Sequence, residues 1–578
     1  MPVHITENDL DIVSVKSFGA VGDGVANDTK AIQDALDVAL SKGAAKVYIP
    51  KGTYKISTRL LIYRNTHLIL HKDATILRGS YVSMLSNANP DVNPLLDNND
   101  PYSGHGNIII EGGTWDGNIL NQPYAPTGFN GFGFNRARNI TIRDVTFKDI
   151  VTCHAIDIGA TEDILIENCR FLGYIDGTKE GDAWYPRNYP EAIQIDTFKE
   201  DNLEGKEYAF CSPVRNIVVR DCYFGASGTP GTQAWPTGVG NHSSNHDHYV
   251  QNVKITNNTF DGMTYAGVHN CKFKDCIVTG NKFENCTVDV KSSNVHGDGQ
   301  ESSKYYDRDT GKWVQTNLPQ SGSNFIITDN IFINTKTNSV LIIGQANDFD
   351  GTNHIAKFEG VVIANNILKK DPGTYTSDNA FYIAWADDVK ITNNTIVGGR
   401  RGIQLSYVSN SVVSHNYIKN TMLEGIWITD YNDQFRGQSH TRNININNCI
   451  LEDIPYTGIL VSFCDTISIN DNYLKNVCTY QDNVRSGINI STTCNNAVIE
   501  GNTLTPVTSG NAPKYGINIG TGNTNSRIGV NNVWGKTARV YLTANGDNFS
   551  GSYLYSPNGS RYKVSVADDG TISATLNN

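Results

Sequence analysis

From about Ile140 to about Val530 the chain alternates two short hydrophobic patterns. The first is a small residue followed by apolar, variable, apolar. It recurs as Ala155-Ile156-Asp157-Ile158, Ala192-Ile193-Gln194-Ile195, Gly402-Ile403-Gln404-Leu405, Gly425-Ile426-Trp427-Ile428, Gly487-Ile488-Asn489-Ile490 and Gly516-Ile517-Asn518-Ile519. The second runs roughly Ile-x-Ile-x-Asn-Asn/Cys-x-Phe, as in Ile164 to Phe171, Val253 to Phe260, Phe325 to Phe332 and Ile467 to Leu474. Alternation over so few residues predicts short strands with one apolar face. A unit that cannot bury that face alone must stack on its neighbours. The expected fold is all-β: a right-handed, single-stranded parallel β-helix of about twelve coils. Its basic coil is about 23 residues, the separation of Ile444 and Ile467.

The two ends break the pattern. Val13-Ser14-Val15 reads as a short strand, and Phe18 to Thr29 as a turn-rich loop. Asp28 or Thr29 can cap a helix running to about Leu40, with Ile32, Ala35, Leu36 and Ala39 on one face. Such a helix would plug the open end of a solenoid. The glycines of that loop are not followed by Lys-Ser/Thr, which argues against a phosphate cradle. The predicted organisation is a strand–helix cap over 1–60, the β-helix over 61–534 and a small C-terminal β unit over 535–578. That last unit would hold Arg539-Val540-Tyr541-Leu542, Tyr553-Leu554-Tyr555 and Tyr562 to Val566, with turns at Asn558-Gly559 and Asp569-Gly570.

Composition narrows the partners. A net charge of −11 disfavours nucleic acid and anionic membrane surfaces. No 18-residue apolar run exists, so no membrane insertion is expected. Met1-Pro2-Val3-His4 opens neither a basic region nor an apolar core, so no secretory signal peptide is expected. Cys169, Cys222 and Cys449 hold one turn position and read as buried free thiols. Without a C-x-x-C pair, zinc is not expected, and His246-Asp247-His248 reads as solvated loop; no cofactor is implied. Asn257-Asn258, Asn365-Asn366 and Asn393-Asn394 read as turn ladders.

Coil length locates the chemistry. Insertions precede the first-pattern strand at 173–190 and 224–237 and follow it at 197–214, 292–322 and 345–358. Two loop walls over one sheet make a groove. Strand alternation gives its outward side chains. One column reads Asp157, Gln194, Gly240, His269, Asp289; the next reads Gly159, Asp196, His242, Cys271, Lys291. Asp157 and Asp196 sit one coil and two residues apart, about 8 Å. That leaves room for water between the carboxylates of an inverting hydrolase, whose range is ~6.5–9.5 Å. His242 is expected about 5 Å from Asp196, and His269 beside Asp289. Asp196 and Asp157 are therefore the expected acid and base, assisted by His242, His269 and Asp289. Glu191 is inward by parity but close to a turn, which makes it a competing acid. Gln194, Lys291, Trp184, Tyr185, Tyr382 and Trp427 are the expected substrate-binding residues, the aromatics as platforms for sugar rings.

Residues Val13 to Tyr54, with Phe18-Gly19-Ala20-Val21-Gly22-Asp23-Gly24 and Asn27-Asp28-Thr29-Lys30-Ala31-Ile32-Gln33, resemble the opening segment of the pectate-lyase-like superfamily. With the coils, the resemblance covers about residues 12–530. That superfamily includes pectin-degrading lyases and hydrolases, alginate epimerases and phage tailspikes. The polygalacturonase motif order does not fit, because Gly104-His105-Gly106 precedes the regular coils and Asp387-Asp388 follows long after. The segments Glu191-Ala192-Ile193-Gln194-Ile195-Asp196 and Gly238-Val239-Gly240-Asn241-His242-Ser243 look like those of tailspikes and preneck appendages of phages of Gram-positive bacteria. Ser556 to Val564 is similar to the ends of other phage adsorption proteins. The resemblance implies a virion tail protein made in the host cytoplasm and released by lysis. It implies a homotrimer beside other tail proteins that hydrolyses a bacterial surface polysaccharide, capsule or teichoic acid. A uronate lyase or epimerase, with His242 as base and Lys291 as charge neutraliser, and a non-catalytic receptor-binding fibre are the alternatives.

Overall fold

Ile, Val, Leu and Phe fill the inward positions of both patterns, and burying them forces each coil onto the next. The computed structural model describes residues 12–87, 100–124, 129–183, 185–197, 211–242, 244–293, 303–316, 318–348, 353–371, 378–430, 440–507, 510–542, 553–555, 561–566 and 572–576. These form a right-handed parallel β-helix fold in two compact units, Met1–Lys336 with Asn347–Ala356 and Thr337–Ala346 with Lys357–Asn578. The expected absence of a signal peptide concerns residues outside the described ones. Among the described residues no helix is long and apolar enough to cross a membrane.

In the first unit the first-pattern strands are Leu60–Ile62, Leu85–Asn87, Phe132–Asn135, Ile156–Gly159, Glu191–Asp196, Thr237–Gly240, Ala266–Cys271 and Val288–Ser293. Each pairs in parallel with the next. The phenylalanines that end the second pattern turn inward and are fully buried. Phe147, Phe171, Phe224, Phe260 and Phe283 stack ring on ring, with centroids 5.2, 4.6, 4.7 and 4.8 Å apart. The asparagine pairs form ladders: Asn258 Nδ2 donates to Asn281 Oδ1 at 3.0 Å, and Asn281 Nδ2 to Asn330 Oδ1 at 3.1 Å. All eleven cysteines are free and buried.

The capping helix is broken rather than continuous. It runs as Thr29–Leu36 and Val38–Lys42. Asp28 occupies the N-cap position, but its carboxylate turns away to accept the Val21 and Gly22 amides at 2.6 and 3.0 Å. It thus ties the glycine loop to the helix start.

The second unit repeats the scheme. Its first-pattern strands include Phe381–Thr392, Ile403–Ser414, Ile426–Thr429, Ile459–Val461, Ser486–Ile490 and Tyr515–Ile519, in parallel register. The two longest bend at Trp385 and Tyr407, which adopt φ of 55° and 54° and stack with centroids 3.9 Å apart. At the C-terminus, Ala538–Leu542 extends the parallel register from Tyr515–Ile519. Arg539 to Leu542 therefore continue the coils instead of joining the antiparallel sheet of Tyr553–Tyr555, Arg561–Val566 and Ile572–Leu576.

Candidate active site

The first unit's strand register brings the polar residues together. Asp157 lies opposite Gln194 and Gly159 opposite Asp196, so the two aspartates are one strand and two residues apart. Gln194 lies opposite Gly240, Gly240 opposite His269, and His269 opposite Lys291. A Cβ on Gly240 would stand 1.7 Å from the His269 carbonyl oxygen, so only glycine allows this approach.

Asp289 does not belong to that row. Val288 pairs with Ala266, which puts Asp289 at the level of Gly267, the small-residue position of the pattern. There a side chain points inward: a Cβ on Gly267 would meet the Phe283 ring at 2.5 Å. Asp289 is fully buried and its carboxylate accepts the Thr335 hydroxyl. The expected His269–Asp289 neighbourhood is thus replaced by His269–Lys291, and Asp289 is withdrawn from any contact with substrate.

Glu191 opens its strand and is fully buried. Its carboxylate nevertheless serves the site, because the chain turns just before it. Both carboxylate oxygens lie 3.2 Å from His242 Nδ1. His154 Nδ1 donates to the Glu191 backbone carbonyl at 2.8 Å and lies 3.6 Å from Glu191 Oε2. The His154 and His242 rings stack, with centroids 6.2 Å apart. Asn130 Nδ2 donates to Asp157 Oδ2 at 2.7 Å, and Gln194 Nε2 to Asp196 Oδ2 at 3.0 Å.

Electrostatics separate the groups. Burial, followed by the charge of Asp196, pushes the Asp157 carboxyl up to about 7. Burial opposes charging of His242, but the charge and hydrogen bond of Glu191, helped by Asp196, outweigh it and raise its pKa. His154 is driven far down by burial and by the cations at His242 and Arg187. Burial, with Lys291 and His242, takes His269 to about 3. The site therefore holds one proton-bearing carboxyl, one histidine inclined to be a cation and two neutral histidines. Burial lifts the Cys271 thiol to about 11, so it is no nucleophile at neutral pH although it lies 3.8 Å from His269 Nε2.

Substrate-binding expectations divide. Gln194 is buried and positions Asp196. Lys291 donates to the Tyr265 hydroxyl and lies over that ring, 4.2 Å from its centroid. Tyr185 is half exposed at 50%. Trp184 lies outside the described residues. Tyr382 and Trp427 belong to the second unit, each opposite Gln404 in register. His246 Nδ1 meets the Thr316 hydroxyl at 3.1 Å, and among the described residues no cluster of three His, Cys, Asp or Glu side chains could hold a metal ion.

Asn130, His154 and Tyr189 escaped the alternation argument. Asn130, His154 and Glu191 each stand two residues before the paired Phe132, Ile156 and Ile193. That shared position was the available signal. Tyr189 lies in the preceding loop, with its ring edge-on to His242 at 5.6 Å.

Residues 12–72 match the family described as rhamnogalacturonase A/epimerase, pectate lyase-like, and residues 318–504 match the right handed beta helix region. The plasmin and fibronectin-binding protein A of Streptococcus pneumoniae is 30% identical over 68% of this chain and 54% of its own length. The solved structure of PfbA, a surface adhesin of Streptococcus pneumoniae, superposes with a TM-score of 0.58 at 25% identity, covering 73% of this chain and 93% of that one. The preneck appendage protein of Bacillus phage PZA is 31% identical over 28% of this chain and 20% of its own length. Mannuronan C5-epimerase AlgE2 of Azotobacter vinelandii is 32% identical over 24% of this chain and 17% of its own length. The chain thus spans about half or less of the curated relatives it matches. The chain is thus similar to pectate-lyase-like proteins over its opening segment and to right-handed β-helix proteins over its later coils, with phage preneck appendage proteins among its relatives.

Proposed function

We propose that this protein is a virion-borne depolymerase that hydrolyses a bacterial surface polymer at the Asp157–Asp196 site. The observation that carries this reading is a carboxyl poised near neutral pH one strand from a second carboxylate. Their register spacing, about 8 Å, matches the acid–water–base arrangement of inverting hydrolysis. The raised pKa of Asp157 reverses the order of roles expected from spacing: Asp157 gives its proton to the glycosidic oxygen as the bond from the anomeric carbon breaks. Asp196 takes a proton from the water that attacks that carbon from the opposite face. Glu191 fixes His242 through Nδ1 and leaves Nε2 for the substrate or for the charge that develops on it. Tyr189 and Tyr185 offer rings to the sugars.

The phage relative, a preneck appendage protein, supports a place on a virion tail, and the proposal includes assembly as a homotrimer beside other tail proteins. The test is the chain length of purified Gram-positive capsule, exopolysaccharide and teichoic acid after incubation. New reducing ends or phosphomonoesters should appear, and Asp196→Asn should abolish them while retaining polymer binding. Polymer that binds without shortening would replace the hydrolase with an adhesin, the role named for the streptococcal relative.

A second reading, β-elimination or epimerisation of a uronate polymer, draws on the Lys291–Tyr265 contact beside His269 and on the epimerase relative. Ultraviolet absorbance from an unsaturated product would select elimination.

A further inference from the structure

We propose that a cavity at the opening of the first unit, built around Arg64, is an oxyanion subsite that holds a carboxylate or phosphate group. The cavity measures about 270 Å³ and is lined by Arg64, Tyr102, Ser103, Gly104, Asn107 and Arg138 among others. Liquid water occupies ~30 Å³ per molecule, so this volume equals roughly nine waters, room for one sugar acid or phosphate ester group.

The charges around it do not balance. Arg138 is held by Asp100 at 2.8 Å and Glu162 at 2.9 Å. Arg215 shares Glu162 at 2.7 Å and covers the Tyr102 ring. Arg64 is different. Its Nη2 donates to the carbonyls of Ser103 and Gly104 at 3.0 and 3.4 Å, and no carboxylate among the described residues pairs with it. Asp100 and Glu162 thus neutralise Arg138 and Arg215, and neither pairs with Arg64. His105 does not add to this charge, since burial and then Arg64 lower it to about 4. Arg64 is half-buried and keeps guanidinium donors for an acceptor in the cavity, and a planar guanidinium fits an oxyanion with two parallel bonds.

The walls are built for close approach. A Cβ on Gly104 would stand 2.4 Å from the Arg136 carbonyl oxygen, and one on Gly106 would stand 2.3 Å from that of Arg138. These glycines let the loop lie flat against the chain at Arg136 to Arg138 and leave the cavity open above it.

The position suits a long substrate. Arg64 follows the Leu60–Ile62 strand, which is three parallel strands from Ile156–Gly159. At ~4.8 Å per strand the cavity lies on the order of 14 Å from Asp157 along the stack. This step rests on the proposed polymer substrate: an anionic unit held here would fix the register of the chain over the carboxylate pair. Binding itself is independent of turnover.

Titration calorimetry with inorganic phosphate, D-glucuronate and neutral D-glucose tests the site on the full chain. Both anions should bind the native protein, and glucose should not. Arg64→Ala should weaken anion binding at least tenfold. Arg64→Gln, which keeps a donor for the Ser103 carbonyl, should do the same with an unchanged Tm, which separates lost charge from lost folding. Asp196→Asn should leave anion binding intact, so failure of hydrolysis would not be mistaken for failure of this site. Equal anion binding by Arg64→Gln and native protein, or none by either, overturns the proposal. If phosphate binds and glucuronate does not, the group held is a phosphate; the reverse makes it a uronate.

Discussion

Glu191 is fully buried, yet both its carboxylate oxygens reach Nδ1 of His242, at 3.2 Å each. His242 keeps 28% of its side chain exposed while Glu191 keeps none, so in the proposed site the ring meets the substrate and the carboxylate stays behind it. Glu191→Gln should keep the shape and one hydrogen bond but remove the charge. Its expected effect is a lower His242 pKa, seen by NMR titration of that ring, with a loss of cleavage of about 10²–10⁴-fold, the usual contribution of a placed acid or base. An unchanged His242 titration would show that Glu191 does not govern it.

Asp157 makes a prediction about pH. Its folded pKa of about 7 lies above that of an unfolded aspartate, ~3.9. Between those values the folded state holds a proton that the unfolded state has lost. Stability from this group is therefore full below pH ~4 and declines as pH rises towards 7. Urea unfolding of native protein and Asp157→Asn at pH 4.5 and 7.5 checks the sign: the native protein should lose more stability over that interval. Cleavage should fall above pH 7 as the acid deprotonates.

Cys271 lies beside His269 and Ser293 in a geometry that invites a nucleophilic reading, with Sγ 3.8 Å from Nε2 and 3.4 Å from the hydroxyl. Burial argues otherwise by raising the thiol to about 11. Cys271→Ser should retain cleavage within a few-fold, and iodoacetamide at pH 7 should not inhibit the native protein. Rapid inactivation by the reagent, protected by polymer, would reverse that view.

How far the residues alone reach is clear at particular positions. Period-2 alternation and coil stacking made the Asp157–Asp196 relationship legible, since both follow from strand geometry. Glu191 was harder, because parity ceases to govern direction where a strand meets a turn. His154 was invisible for the same reason, although it holds Glu191's position one coil earlier. Alternation misplaces Asp289 because its carboxylate fills a place that most coils give to a small residue, such as Ala155, Ala192, Gly238 and Gly267, and alternation alone does not mark that place as inward. The Arg64 cavity depends on which carboxylates pair with which guanidiniums, and spacing carries no such information.

The stacked phenylalanines should behave as one cooperative column. Phe224 lies between Phe171 and Phe260, with centroids 4.6 and 4.7 Å away, and is fully buried. Phe224→Ala removes a core ring, a change that costs about 3–5 kcal/mol. Phe224→Leu keeps most of the volume and should cost less. Denaturant midpoints of the two variants measure the difference.

Gly240 gives the sharpest local test. It stands between Gln194 and His269 in the row that leads to the site, and a Cβ there would meet the His269 carbonyl oxygen at 1.7 Å. A backbone oxygen cannot swing aside as a side chain would, so Gly240→Ala must push two coils apart. Overpacking of this kind costs about 1–3 kcal/mol and sometimes more. The strain falls two residues before His242, so the Glu191–His242 contact should loosen as well. The variant is expected to unfold at lower urea and to lose cleavage more than stability alone explains. Gly262→Ala provides the control for adding a methyl group at a glycine outside this row: its nearest neighbour would be Ala234 Cβ at 3.5 Å, although its φ of 76° adds backbone strain. If Gly240→Ala kept full cleavage while Gly262→Ala did not, the close approach at Gly240 would have no part in shaping the site.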